Sequence, residues 1–274
     1  MSTEVKANSK VHVNGIDIYY ELHGRGSPII LIAGFSCDHN FWSMMVDELA
    51  KHHQLLLLDN RGIGQTDTPD STYTIELMAT DVMGLVKILG LKSPTIVGQS
   101  MGSAIGQVIA RKYPTDIDKL ILINTFSQLT RLPEVVFELI RDFQHINLPL
   151  KYCVQSVVPW VYSNEFLSQP NQLQNLITLA EKNPYPQSMV GYQGQLDALK
   201  AFCSSEWLNE INAQTLVIAA EEDIIAPIAG ARGVADGIGS NASLVIIPGG
   251  HASPIEQPLK TTQKILDFVK SNDI

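Results

Sequence analysis

The sequence predicts an α/β fold: a mostly parallel sheet that opens with an antiparallel hairpin and is interrupted by a helical cap insertion. Three observations predict it. Short apolar runs alternate with amphipathic stretches in the β-α-β rhythm of a parallel sheet. An Asn14-Gly15 pair stands between the first two runs, where both residues of a tight turn readily take positive φ. After Phe126 the rhythm stops, and it resumes only near residue 206.

Taken in order, Val11–Val13 and Ile16–Leu22 form the hairpin, and Ile29–Ala33 is the next strand. A helical stretch from Phe41 to Lys51 leads to strand Gln54–Asp59. Thr74–Leu89 reads as a helix because Ile75, Met78, Val82, Leu85, Val86 and Leu89 share one face. Strand Thr95–Gly98, helix Met101–Tyr113 closed by Pro114, and strand Lys119–Asn124 follow. From Ser127 to about Ser205 the pattern is helical and punctuated by Pro133, Pro149, Pro159, Pro170 and Pro184. Strand Thr215–Ala220, a helix around Ile228–Ile238, strand Ser243–Ile247 and a single helix from Pro254 to Lys270 complete the chain. With no repeat, low-complexity tract or polar linker, the expected organisation is a core of residues 1–126 and 206–274 with a helical cap of residues 127–205 packed on it.

The 274 residues are 45% apolar and 17% charged, which excludes a disordered, collagenous or coiled-coil chain. A formal charge of −9 without a basic patch argues against nucleic-acid binding. The longest apolar runs, Ile29–Ala33 and Leu55–Leu58, fall far short of the roughly 20 residues of a membrane span. The polar stretch Met1 to Lys10 has no signal-peptide core, so a cytoplasmic protein is expected. Cys37, Cys153 and Cys203 are scattered and odd in number, which reads as reduced thiols and neither a disulfide framework nor a zinc site.

The chemistry gathers at Gly98-Gln99-Ser100-Met101-Gly102, a G-x-S-x-G between a strand and a helix. Small residues there allow a sharp turn that lifts a serine hydroxyl to a helix N-terminus, where an oxyanion is stabilised. A serine hydroxyl is a weak nucleophile and needs a base oriented by an acid. Downstream, Thr215–Ala220 runs into Glu221-Glu222-Asp223, and Ser243–Ile247 runs into Pro248-Gly249-Gly250-His251. Both loops leave the carboxyl ends of strands, the edge where open α/β sheets bind ligands. The order nucleophile, acid, histidine is therefore complete, with three adjacent carboxylates to choose from.

With these motifs on one chain, the sequence resembles the α/β-hydrolase family over nearly its whole length. Asp59-Asn60-Arg61-Gly62-Ile63-Gly64-Gln65-Thr66-Asp67 is similar to the family's D-x-R-G-x-G-x-S loop, and Gly250-His251-Ala252-Ser253-Pro254-Ile255-Glu256-Gln257-Pro258 to its G-H-x-x-x-x-E-x-P tail. The resemblance implies Ser100 as nucleophile, His251 as general base and Asp223, three residues past the small Ala220 and ahead of Pro227, as the acid. It also implies an oxyanion hole from the backbone N–H groups of Phe35 and Met101, with Ala33-Gly34-Phe35 standing where the family usually has a His-Gly-x turn. Ser103 replaces the second glycine of the common S-x-G-G, which removes no backbone donor.

The expected activity is hydrolysis of a small carboxylic ester or lactone through an acyl-enzyme, as in small carboxylesterases and 3-oxoadipate enol-lactonases. Carbon–carbon bond hydrolases and cofactor-free haloperoxidases or perhydrolases are the alternatives within the fold. A small-ligand sensor of stress signalling is the alternative outside catalysis. No metal or organic cofactor, nucleic acid or membrane is implied, and the expected partner is the small-molecule substrate. Trp160 in the cap and His39 after the oxyanion turn are candidate pocket residues, while Phe41 and Trp42 read as core. His52-His53 reads as a polar helix end, Gly24-Arg25-Gly26 as a tight turn, and Arg61 with Asp59 as a loop brace.

Overall fold

A computed structural model describes residues 6–270 of the chain. Residues 1–5, half of the polar start on which the absence of a signal peptide is read, lie outside the described residues. The hairpin forms around the expected turn, though its first strand begins five residues earlier than Val11: β1 (Lys6–Val13) pairs antiparallel with β2 (Ile16–His23), and Asn14 and Gly15 turn the chain at φ 49° and 79°. β3 (Pro28–Ile32) is followed by a 3-10 turn at His39–Trp42 and helix α1 (Ser43–Leu49), so the stretch read as one helix from Phe41 has a tighter first turn. β4 (Gln54–Leu58), α2 (Ile75–Ile88), β5 (Thr95–Gln99), α3 (Met101–Lys112) and β6 (Lys119–Ile123) follow. The Thr74 hydroxyl caps α2 by accepting the Leu77 N–H.

Beyond β6 the chain runs through α4 (Arg131–His145), α5 (Leu150–Val161), α6 (Asn164–Leu167), α7 (Gln172–Glu181) and α8 (Met189–Ala201) before returning to the sheet. It leaves and returns through one neck, where Gln128 bridges Cys203 and the Ser204 N–H donates to Ser127 O at 2.8 Å. β7 (Gln214–Ala220), α9 (Ile228–Ile238) and β8 (Ala242–Ile247) then resume the alternation. The last helix is two: α10 (Ser253–Glu256) and α11 (Pro258–Lys270), because Pro258 forces Gln257 out of the helical region to φ −128°, ψ 51°.

The eight strands lie in the order β1-β2-β4-β3-β5-β6-β7-β8. β2 pairs antiparallel with both of its neighbours, and the pairs from β4 to β8 are all parallel. Strand residues alternate between two cores. Ile30, Ile32, Leu56, Ile96, Leu120 and Val217 face α2, α3 and α9, while Ile29, Leu31, Leu55, Val97, Ile121 and Leu216 face α1 and α11. A third, smaller apolar cluster joins α4 and α8 to Ile225.

At the amino end of β6, Lys119 is only 2% exposed, and its Nζ donates to Phe268 O at 3.0 Å and Val269 O at 2.7 Å in the last turn of α11. Among the described residues no helix is long and apolar enough to cross a membrane.

Candidate active site

Ser100 sits between β5 and α3 at φ 53° and ψ −117°, a positive-φ conformation that a non-glycine residue adopts only when its surroundings force it. The two flanking glycines make the turn sterically feasible. A Cβ on Gly98 would fall 2.1 Å from Gly102 O, and one on Gly102 would fall 2.1 Å from Ile32 O. The sharp turn leaves Ser100 as N-cap of α3, with its N–H donating to Ile123 O at 3.0 Å and its side chain capping nothing.

The hydroxyl is instead held by histidine. Ser100 Oγ lies 2.8 Å from His251 Nε2, and His251 Nδ1 lies 2.8 Å from Asp223 Oδ2. Asp223 is fixed in turn, since its Oδ1 accepts the N–H groups of Ile225 and Ala226 at 2.9 and 2.8 Å. All three residues are buried. The structure thus brings together the serine, the histidine and, of the three adjacent carboxylates, Asp223; Glu221 and Glu222 are exposed.

Phe35 follows β3 in the turn beside Ser100: a Cβ on Gly34 would come within 3.2 Å of Ser100 Cβ. Met101 opens α3, so its N–H has no intrahelical acceptor and points from the helix N-terminus. Where the resembled family has histidine, Ala33 has its carbonyl held by Asn60 Nδ2 at 3.1 Å. From the other side, Ser36 N–H donates to Gln195 Oε1 at 3.1 Å, and Gln195 Nε2 donates to Arg61 O. The turn is therefore braced by side chains of two distant segments.

A cavity of about 280 Å³ opens on Ser100 and His251. Phe35, Phe41, Phe137, Ile140, Val157 and Tyr192 make most of its wall apolar, and Cys37 and Cys153 also line it. Desolvation pushes the Cys37 thiol up to about 12 and raises Cys153 as well, so both are neutral thiols and poor nucleophiles.

Two expected pocket residues are not there. Trp160 packs against the cluster of α4 and α8 and does not line the cavity. His39 is buried outside the cavity, where Nδ1 meets Asp59 Oδ1 at 2.7 Å and Nε2 faces Glu21 Oε1 at 3.4 Å. Asp59 is thus engaged by His39, and Arg61 pairs not with it but with Asp81, at 2.8 and 3.0 Å. Trp42 is buried in the core as expected, Phe41 packs against that core and also lines the cavity, and His53 is buried rather than a polar helix end.

Sequence reasoning missed Asn124, whose Nδ2 donates to the carbonyls of Gly250 and His251 and whose Oδ1 accepts the Ser253 hydroxyl. Its only sequence signal is its place at the end of β6, an edge where site residues collect. Among the described residues no group of three or more His, Cys, Asp or Glu could hold a metal ion.

A family model for the alpha/beta hydrolase fold matches residues 27–258. The chain belongs to the α/β-hydrolase family. This α/β-hydrolase is 26% identical over 264 residues to RutD of Azorhizobium caulinodans, a protein named as a carbamate hydrolase, with 94% of this chain and 96% of that protein covered. It superposes on the enol-lactonase of Burkholderia xenovorans with a TM-score of 0.85 at 25% identity, covering 95% of this chain and 99% of that one. Against a thermophilic esterase of Thermogutta terrifontis the TM-score is 0.83 at 25% identity, covering 97% and 98%. The α/β-hydrolase fold here sets strand ends, a helix N-terminus and a helical layer around one cavity.

Proposed function

We propose that this chain cleaves a small, largely apolar carboxylic ester or lactone through an acyl-enzyme on Ser100. The observation that carries the reading is the buried relay from Ser100 through His251 to Asp223, opening on an apolar cavity.

In this mechanism His251 Nε2 takes the Ser100 proton as Oγ attacks the substrate carbonyl. Asp223 accepts a hydrogen bond from the Nδ1–H throughout, which fixes the tautomer and stabilises the imidazolium. The N–H groups of Phe35 and Met101 receive the oxyanion. His251 then gives the proton to the leaving alkoxide, and a water deprotonated by the same nitrogen cleaves the acyl-enzyme.

Similarity to an enol-lactonase and an esterase supports an oxygen-ester substrate. A carbamate, the substrate class in the RutD name, would meet the same nucleophile, but the mostly aromatic and aliphatic wall favours a less polar acyl group. A fluorophosphonate probe should label the wild-type chain and leave Ser100→Ala unlabelled at an unchanged melting temperature. A panel of p-nitrophenyl esters, lactones and carbamates should give the highest kcat/KM on an apolar ester or lactone. Preference for carbamates would overturn the substrate class, and labelling without turnover of any member would favour the sensor role.

A further inference from the structure

The loops that carry Asp223 and His251 are both hydrogen-bonded to one short segment of the cap, the end of α5 and the start of α6. The Ala252 N–H donates to Val161 O at 3.0 Å, and the Asn164 N–H donates to Glu222 Oε2 at 3.2 Å. Glu256 of α10 closes this seam. Its Oε1 accepts the Gly250 N–H at 2.9 Å, its Oε2 accepts the Ser163 hydroxyl, and both oxygens stand 3.3 Å from Ser163 N. A carboxylate has lone pairs for all these donors, and charge-assisted bonds of this kind are stronger than neutral ones.

The seam is tight. A Cβ on Gly250 would lie 2.8 Å from Val161 O and 2.9 Å from Ser163 N, and Ser163 is buried. Gly250 and Ala252 are the chain neighbours of His251, so the cap holds the histidine's backbone directly at Ala252 and, through Glu256, at Gly250. The core grips its carbonyl, through Gln99 Nε2 at 2.9 Å and Asn124 Nδ2 at 2.8 Å.

We propose that Glu256 is a positioning residue that couples the seating of the cap to the orientation of His251. The inference rests on the reading of Ser100, His251 and Asp223 as a catalytic triad. Without the carboxylate, Gly250 and Ser163 lose their common acceptor, and the imidazole is free to drift from the Ser100 hydroxyl. Drift of about 1 Å in a catalytic group costs up to about 100-fold in rate. Because Glu256 does not line the cavity, the loss falls on kcat and leaves KM almost untouched.

The test is steady-state hydrolysis of p-nitrophenyl acetate by wild type, Glu256→Ala, Glu256→Gln, Ser163→Ala and the double variant Glu256→Ala/Ser163→Ala, each with a melting curve. Glu256→Ala should lower kcat by about 10–100-fold with KM changed less than about threefold. Glu256→Gln, which keeps one acceptor oxygen for Gly250, should recover part of that loss. Ser163→Ala should lower kcat alone but add nothing in the Glu256→Ala background, the mark of residues acting through one contact. If Glu256→Ala does not fold, Glu256→Gln and Ser163→Ala still have to lower kcat at constant KM. An unchanged kcat, a loss confined to KM, or full additivity of the two substitutions would overturn the proposal. Ser100→Ala, assayed alongside, separates the two readings: if it keeps full turnover the triad reading falls and this one with it, whereas an inactive Ser100→Ala beside a fully active Glu256→Ala overturns the role of Glu256 alone.

Discussion

At Ser100 the backbone holds a conformation that costs about 1–3 kcal/mol in a non-glycine residue, and the bonds of its N–H to β6 and its Oγ to His251 maintain it. Asp223 is over-determined in a similar way, because one oxygen faces His251 while the other accepts two backbone N–H groups. An asparagine there keeps one acceptor oxygen and turns an NH2 group either on the imidazole N–H or on the loop amides. Asp223→Asn should therefore lower kcat by about 10²–10⁴-fold with little change in melting temperature. Glu221→Gln and Glu222→Gln, in exposed side chains, should stay within about threefold in initial rate. A Glu222→Gln loss as deep as that of Ser100→Ala, with Asp223→Asn active, would move the acid to Glu222.

Among the elements, α8 comes very close to the core: a Cβ on Gly191 would lie 2.0 Å from Gly62 O. Gly191→Ala should lift the start of α8 and weaken the nearby bonds of Gln187 to Gly62 O and of Gln195 to Arg61 O. Limited proteolysis should then cut between residues 127 and 205 faster than in wild type, with a lower melting temperature; equal cleavage rates would mean that α8 is not the cap's anchor. The elements themselves were largely legible. Short continuous apolar runs mark β3, β4, β6 and β7, which are covered on both faces, and α2 carries the helical period in its buried residues. The sharp turn at Ser100 was legible too, since strand, glycine, serine and helix follow one another locally. What a single chain does not encode is which distant polar group a side chain meets. Arg61 finds Asp81, Asn124 finds the carbonyl of His251, and Trp160 packs on the α4–α8 cluster, each set by the packing of elements remote in sequence.

Over the whole molecule, acid and base stability should follow the cluster of Glu21, His23, His39 and Asp59 that ties β2 to the loops after β3 and β4. The His23 bond, with a further bond from the Tyr19 hydroxyl and charge from His39, outweighs burial and holds Glu21 at about 2 against its ordinary 4.5. Below pH 4.5 the unfolded chain takes up a proton that the folded chain refuses, so this stabilisation drains away as pH falls from about 4.5 toward about 2. Burial pulls His39 down, but the bond and charge of Asp59, with Glu21, outweigh it and hold the imidazolium above its ordinary 6.5. That contribution is complete below 6.5 and is lost as pH rises through the folded value. Calorimetric melting temperatures should fall on both flanks, and Glu21→Gln should flatten the acid flank; an unaltered acid flank would assign it to other carboxylates. Lys119 carries a different consequence, for the nascent chain. Ribosomal synthesis completes β6 long before β7 covers its edge, and the whole helical excursion emerges in between. An open parallel edge is a template for aggregation, and a charged lysine at its end, still hydrated, resists pairing with other chains. Only when α11, which follows β7 and β8 in the chain, offers the carbonyls of Phe268 and Val269 is that charge withdrawn from water, so the lysine guards the edge until the strands that cover it have been made.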